Sequence, residues 1–143
     1  MKKILNAIIL LFLVSHVKAE IVVIGNKNNT LSLNSVQVED IFMGRNRALS
    51  NGSIAIPLEQ MGLRAAFYKK LLNSSVEQVD AYWQTIELTN QLFSKSSTSV
   101  QSSPKILSDD AEVLEAVTAN KNNIGYIDKS NLNNNVRVLL IID

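Results

Sequence analysis

Apolar runs alternate with amphipathic stretches along the chain after its first nineteen residues. Residues 20–25 (EIVVIG) are a continuous, mostly β-branched run that ends in a polar turn, which predicts a buried strand. Residues 53–58 alternate isoleucines with small residues and predict a second strand, ended by Pro57. Residues 123–128 and 136–142 predict two further strands around an asparagine-rich turn.

Four other stretches repeat their apolar residues at helical spacing. They cover residues 34–44, 60–72 and 74–89, and a stretch that begins at Ser108. Asn34 with Gln37 and Ser74 with Glu77 have the spacing of capping boxes. Ser35 is an alternative cap for the first helix, Ser108 is placed to cap the fourth, and Gly44 is placed to end the first. In the third helix an apolar stripe contains Trp83, which we interpret as a core residue rather than a platform for a ligand.

The order strand, helix, strand, helix, helix, loop, helix, strand, strand predicts an α/β protein. We expect a single open mixed sheet flanked by helices on both faces. Such sheets bind ligands at the carboxyl ends of their strands, where helix N-termini present backbone N–H groups to anions. The turn near Gly62 and the serine-rich stretch 89–104 are the two places that fit, although the second is equally well interpreted as a simple connector.

The N-terminus has the pattern of a signal peptide. Lys2 and Lys3 precede an apolar run over residues 4–14, and Ala19 follows at a suitable cleavage position. We therefore expect residues 1–19 to be removed and residues 20–143 to form a single domain, periplasmic or secreted and not in the membrane. This domain keeps all 13 acidic residues and loses three of the 14 basic ones, so its formal charge is −2.

Composition excludes several kinds of active site. The chain has no cysteine, and its one histidine, His16, lies in the predicted signal peptide, so a serine triad, a cysteine nucleophile and a conventional zinc site are excluded. A near-neutral charge argues against nucleic acid as a partner. Asp109 and Asp110 are best explained as first-turn partners of a helix dipole, and Asp128 has no evident catalytic partner. We expect no enzyme, no cofactor and no metal.

Three motifs resemble phosphate-binding, type II periplasmic solute-binding proteins. Residues 31–45 contain LSL followed by VEDIFMGR, which resembles the family pattern "LS…V.DIF.G". Residues 62–68 (GLRAAFY) resemble the helix start "SGTR..F", and residues 124–128 (IGYID) resemble the strand "GAIGYV". The motifs occur in family order, and the chain is most similar to the short, one-domain members of this superfamily. The resemblance implies one lobe of a protein whose full-length members close two lobes on a ligand.

The resemblance also implies where an oxyanion would bind. In the family, the hydroxyls and backbone N–H groups of the "SGT" turn hold the anion, together with an arginine that precedes the turn. Here the turn is Met61, Gly62 and Leu63, and the arginine position is Pro57, so only the glycine is kept. Arg64 is one turn into the helix, either as a solvated surface residue or able to reach the site.

Two hypotheses follow for the function. The first is an exported binding module that takes phosphate or another small oxyanion weakly, through Gln60, Gly62 and Arg64 and through Ser96, Ser97 and Thr98 of the serine-rich stretch. The second is an interaction or signalling module of the cell envelope, whose exposed cleft face binds another protein or a second copy of the chain. The apolar turn residues Met61 and Leu63 favour contact with protein.

Overall fold

Five strands and four α-helices make up the part of the chain that the computed structural model describes, residues 18–93 and 101–143. In chain order they are β1 (Ile21–Asn26), α1 (Ser35–Phe42), β2 (Ile56–Gln60), α2 (Arg64–Leu72), α3 (Val76–Phe93), β3 (Lys105–Leu107), α4 (Asp110–Ala119), β4 (Asn123–Asp128) and β5 (Val136–Ile142). A search of these residues for a helix long and apolar enough to cross a membrane finds none.

The strands form one mixed sheet in the order β3-β2-β4-β1-β5. β2 is parallel to both β3 and β4, whereas β1 is antiparallel to β4 and β5. Consequently the carboxyl ends of β2, β3 and β4 lie at the same edge of the sheet. This edge positions the candidate site.

Helices cover both faces of the sheet because β1 is apolar at every second position on each side. Ile21 and Val23 pack into a core with residues of α1, α2 and α3. Val22 and Ile24 pack into a second core with Val113 and Val117 of α4. The predicted open mixed sheet with helices on both faces is confirmed.

An aromatic cluster at the centre of the larger core joins three elements. Phe67 of α2 stacks on Tyr126 of β4, with ring centroids 3.8 Å apart and planes 12° apart. Phe42 of α1 meets Phe67 edge-on at 4.9 Å. All three residues are fully buried, so the cluster holds α1 and α2 against the sheet.

The N-terminal cap of α1 is as predicted, whereas that of α3 differs from the prediction. The predicted capping box of Asn34 and Gln37 is present. The predicted Ser74–Glu77 box is wrong by one residue: the hydroxyl of Ser75 accepts from the Gln78 N–H, and the Gln78 side chain accepts from the Ser75 N–H. Both serines have a polar partner three residues later, so spacing alone does not choose between them.

The second strand lies later in the chain than predicted, and Pro57 is inside it. The Ile56 N–H donates towards β4, to the carbonyl of Asn122, so the backbone nitrogen of residue 57 faces the opposite side of the strand. On that side β3 pairs with β2 only from Leu58 onwards. Proline therefore removes no sheet hydrogen bond, and the strand continues to Gln60. β3 itself was not predicted, because three residues show no readable alternation.

Candidate functional site

The turn that joins β2 to α2 lies at the shared edge where three parallel strands end. Residues Met61–Leu63 form a single 3-10 turn that leads directly into α2. The Gln60 side-chain carbonyl accepts a hydrogen bond from the Leu63 N–H at 2.8 Å. An ideal Cβ at Gly62 would lie 3.2 Å from the same Gln60 oxygen, so glycine lets the side chain fold over the turn. Gln60 thus gives the N-terminus of the 3-10 turn an internal acceptor, in the place that an anion would take.

A carboxylate also lies beside this turn. The Gln60 amide nitrogen donates to Asp110 at the start of α4, at 2.8 Å. The same carboxylate accepts from the side chain of Asn131 at 2.7 Å and from the backbone N–H of Asp128 at 3.3 Å. Asp110 is in the first turn of α4, as predicted, while Asp109 rather than Ser108 is its N-cap. The edge of the sheet therefore already contains a negative charge held by protein donors.

Behind the turn, Glu59 and Arg64 form a buried ion pair that the sequence did not indicate. The Glu59 side chain is 1% exposed and that of Arg64 is 13% exposed. The Arg64 Nε donates to one oxygen of Glu59, and the Tyr68 hydroxyl donates to the other. The second Arg64 contact is to Asp80 of α3, with Nη2 to Oδ1 at 2.9 Å. The guanidinium is shared between two carboxylates.

Protonation in this network reflects burial and charge together. Burial raises the pKa of Glu59, and the Tyr68 hydroxyl and Arg64 partly oppose that shift. Burial works against the Arg64 cation, yet the contacts with Asp80 and Glu59 raise the pKa of Arg64 overall. Burial and the neighbouring Glu59 raise the pKa of Tyr68 as well, so its hydroxyl stays protonated and donates.

The structure brings together only part of the predicted anion site. Gln60 and Gly62 lie side by side in the turn, whereas the Arg64 guanidinium is directed at Glu59 and Asp80. Arg64 is therefore not the solvated surface arginine that was one interpretation of the sequence. The spacing of Arg64 and Tyr68 by four residues on one helix face, with Glu59 just before the helix, was the available signal for the network. Ser96, Ser97 and Thr98 lie outside the described residues.

A cleft of about 600 Å³ opens next to this network, between α3 and the segment that leads into β3. The described residues that line it are Glu59, Arg64, Asp80, Trp83, Gln84, Glu87, Asn90, Gln91, Gln101, Ser102, Ser103, Pro104 and Ile106. Trp83 is buried in the larger core and forms part of the cleft wall. The interpretation of Trp83 as a core residue is confirmed. The same side chain also contributes to the wall of the cleft.

Packing around Trp83 also explains the glycine that ends α1. Gly44 has a φ of 70°, a left-handed conformation that favours glycine. A Cβ there would come within 2.7 Å of the Trp83 ring. The predicted role of Gly44 as a stop for the first helix is confirmed, with close packing as a further reason for glycine.

Among residues 18–93 and 101–143, no three or more histidine, cysteine, aspartate or glutamate side chains cluster where they would hold a metal ion. Asp110 and Asp128 meet only through a backbone N–H, and the Asp128 carboxylate accepts from Ser130.

Comparison with solved structures identifies the fold. The chain superposes with a TM-score of 0.62 and 22% identity on a protein from Clostridium perfringens described as a phosphate ABC transporter substrate-binding protein, solved with bound phosphate. It superposes with the same TM-score and 12% identity on an ABC-type phosphate transport receptor from Vibrio cholerae. The chain has a phosphate-binding-protein-like fold. No family model and no curated protein matches the sequence.

The phosphate-binding-protein-like fold of this chain corresponds to part of a larger structure. In both comparisons 85% of the chain is covered, but only 44% and 45% of the length of the two larger proteins. The chain thus spans less than half of each protein it resembles.

Proposed function

We propose that this chain is an exported, non-enzymatic binding module that keeps a phosphate-binding-protein-like fold and has lost tight oxyanion binding at the Gly62 turn. Export is supported by the N-terminal signal-peptide pattern, and predicted cleavage after Ala19 leaves all of β1 in the secreted form. The binding role is supported by the fold shared with two phosphate transport proteins. The observation that carries the altered specificity is the Gln60–Asp110 contact at the turn.

The turn is poorly suited to a desolvated phosphate for two reasons. The family hydroxyl positions are Met61 and Leu63, and each lost charge-assisted hydrogen bond is worth roughly 1.5–3 kcal/mol. In addition, Asp110 accepts from the Gln60 side chain beside the turn and repels an anion there. Arg64 pairs with Glu59 and Asp80 instead of with a ligand. Together these changes remove several orders of magnitude in phosphate affinity.

Thermal unfolding with and without phosphate tests this proposal. A ligand present at one hundred times its dissociation constant stabilises a protein by about 2.7 kcal/mol, which a melting curve detects easily. We expect millimolar phosphate to give no more stabilisation than sodium chloride of equal ionic strength. A saturable rise in melting temperature with phosphate that chloride does not reproduce would contradict the proposal.

A docking face for another protein is the second candidate function. Met61 is 63% exposed at the turn, although it is a large apolar residue at the edge where the parallel strands end. A partner in the cell envelope, or a second copy of the chain, would cover this side chain. On this alternative, light scattering of the purified protein gives twice the monomer mass, and Met61→Asp restores the monomer. A monomer at all concentrations, with no partner retained from envelope extract, would remove the alternative.

A further inference from the structure

The cleft beside α3 has the dimensions of a ligand site and is separate from the Gly62 turn. Its volume of about 600 Å³ falls within the range of small-molecule sites. One wall is a single face of α3, which presents Asp80, Gln84, Glu87 and Gln91 at helical spacing. The opposite wall is the segment before β3.

Hydrogen bonds hold the two walls in place. The Asn90 side-chain amide on α3 donates to the carbonyl of Gln101 at 3.1 Å. The Arg47 Nη2 donates to the carbonyl of Ser102 at 2.7 Å, which ties the same segment to the loop after α1. The Arg47 guanidinium also lies over the Trp83 ring, 5.8 Å from its centre. These hydrogen bonds fix the segment before β3 against α3 and against Arg47, which lowers the conformational cost of binding.

The charges that line the cleft favour a cation. Its described lining contains three carboxylates, Glu59, Asp80 and Glu87, and one guanidinium, that of Arg64. Arg64 is occupied by Glu59 and Asp80, yet its contact with Asp80 uses only one carboxylate oxygen, and half of the Asp80 side chain is exposed. Glu87 forms no ion pair within the segments that the structure describes. Carboxylates therefore outnumber guanidinium groups in the described lining, which favours a cation over an anion.

The spacing of the two exposed carboxylates selects the shape of the cation. Asp80 and Glu87 are seven residues apart on α3, which is about 10 Å along the axis at 1.5 Å per residue. The remaining lining groups are mainly side-chain amides and serine hydroxyls, whose oxygens accept hydrogen bonds from N–H donors. The Trp83 ring provides an apolar surface against which an aliphatic chain can pack. We propose that the cleft binds a linear polyamine whose terminal ammonium groups bridge Asp80 and Glu87. This site is additional to the proposed function and does not depend on the Gly62 turn.

Intrinsic fluorescence gives a direct test, because Trp83 is the only tryptophan in the chain and lies in the cleft wall. We expect 1,7-diaminoheptane to change the Trp83 emission saturably. 1,3-Diaminopropane carries the same two charges, but its ammonium groups are too close to bridge the carboxylates, so we expect it to bind at least about fivefold more weakly. Glu87→Gln is expected to weaken 1,7-diaminoheptane binding by about fivefold. The matched control is Glu115→Gln, an exposed glutamate on α4 at the opposite face of the sheet, which should leave the affinity unchanged.

Three outcomes would overturn the polyamine site. They are no saturable change in emission, equal weakening by Glu87→Gln and Glu115→Gln, and equal affinity for 1,7-diaminoheptane and 1,3-diaminopropane. The last two would show general charge attraction rather than a site. Each of these outcomes is separate from the phosphate measurement, because the described lining of the cleft does not include the Gly62 turn.

Discussion

Replacement of Arg64 by methionine is expected to lower the free energy of unfolding by about 3–5 kcal/mol. The change leaves the carboxylate of Glu59 buried without a cation, with only the Tyr68 hydroxyl as a partner. Breaking one side of a buried pair is far more costly than the pair is worth in the intact protein, because the remaining charge stays desolvated. Urea denaturation of the variant and the parent protein measures the difference.

Arg45 provides a matched control on the surface. It also contacts two carboxylates, those of Glu39 and Asp40, but its side chain is 45% exposed. Arg45→Met is expected to cost less than about 1 kcal/mol, since water replaces the lost contacts. Adding Glu59→Gln to the Arg64→Met variant should recover part of the loss, because it removes the unpaired charge. Equal losses at Arg64 and Arg45, or no recovery in the double variant, would contradict the buried pair.

Replacement of Phe67 by alanine is expected to cost about 3–5 kcal/mol of stability. The side chain is fully buried and its ring contacts both Tyr126 and Phe42, so truncation leaves a cavity where α1, α2 and β4 meet. The same urea measurement reports the loss. Phe93→Ala is the control: Phe93 is 75% exposed at the end of α3, and its truncation should change stability by no more than about 0.5 kcal/mol. Similar effects of the two substitutions would contradict the central position of Phe67.

Much of this fold was predictable from local sequence, because its buried residues recur at the regular spacing of strands and helices. Residues 21–25 of the first run (IVVIG) contain no polar side chain, and a strand buried on both faces requires that pattern. The amphipathic stretches around Phe67 and Trp83 likewise match α2 and α3. The end of β2 was misplaced because proline normally ends a strand, and only the position of β3 in the sheet shows why Pro57 is tolerated inside β2.

The candidate site was less predictable because its contacts join residues far apart in the chain. The Gly62 turn was predictable because it directly precedes a stretch with helical spacing. The sequence also showed that Met61 and Leu63 stand where the resembled family has hydroxyl side chains. The contact from Gln60 to Asp110 crosses 50 residues, and Arg64 reaches Asp80 on another helix. The cleft is formed by α3 and the segment 101–106, which no motif connects. Such pairings depend on the order of the strands, which the sequence pattern left open.

Isothermal titration of the purified protein with inorganic phosphate decides whether the Gly62 turn has lost tight anion binding. We expect no saturable heat up to millimolar phosphate, because Gln60 already accepts from the Leu63 N–H of the 3-10 turn and Asp110 repels an anion there. Stoichiometric binding at micromolar phosphate, with a tetrahedral anion bound to the backbone at Gly62 in a crystal of the complex, would contradict this expectation.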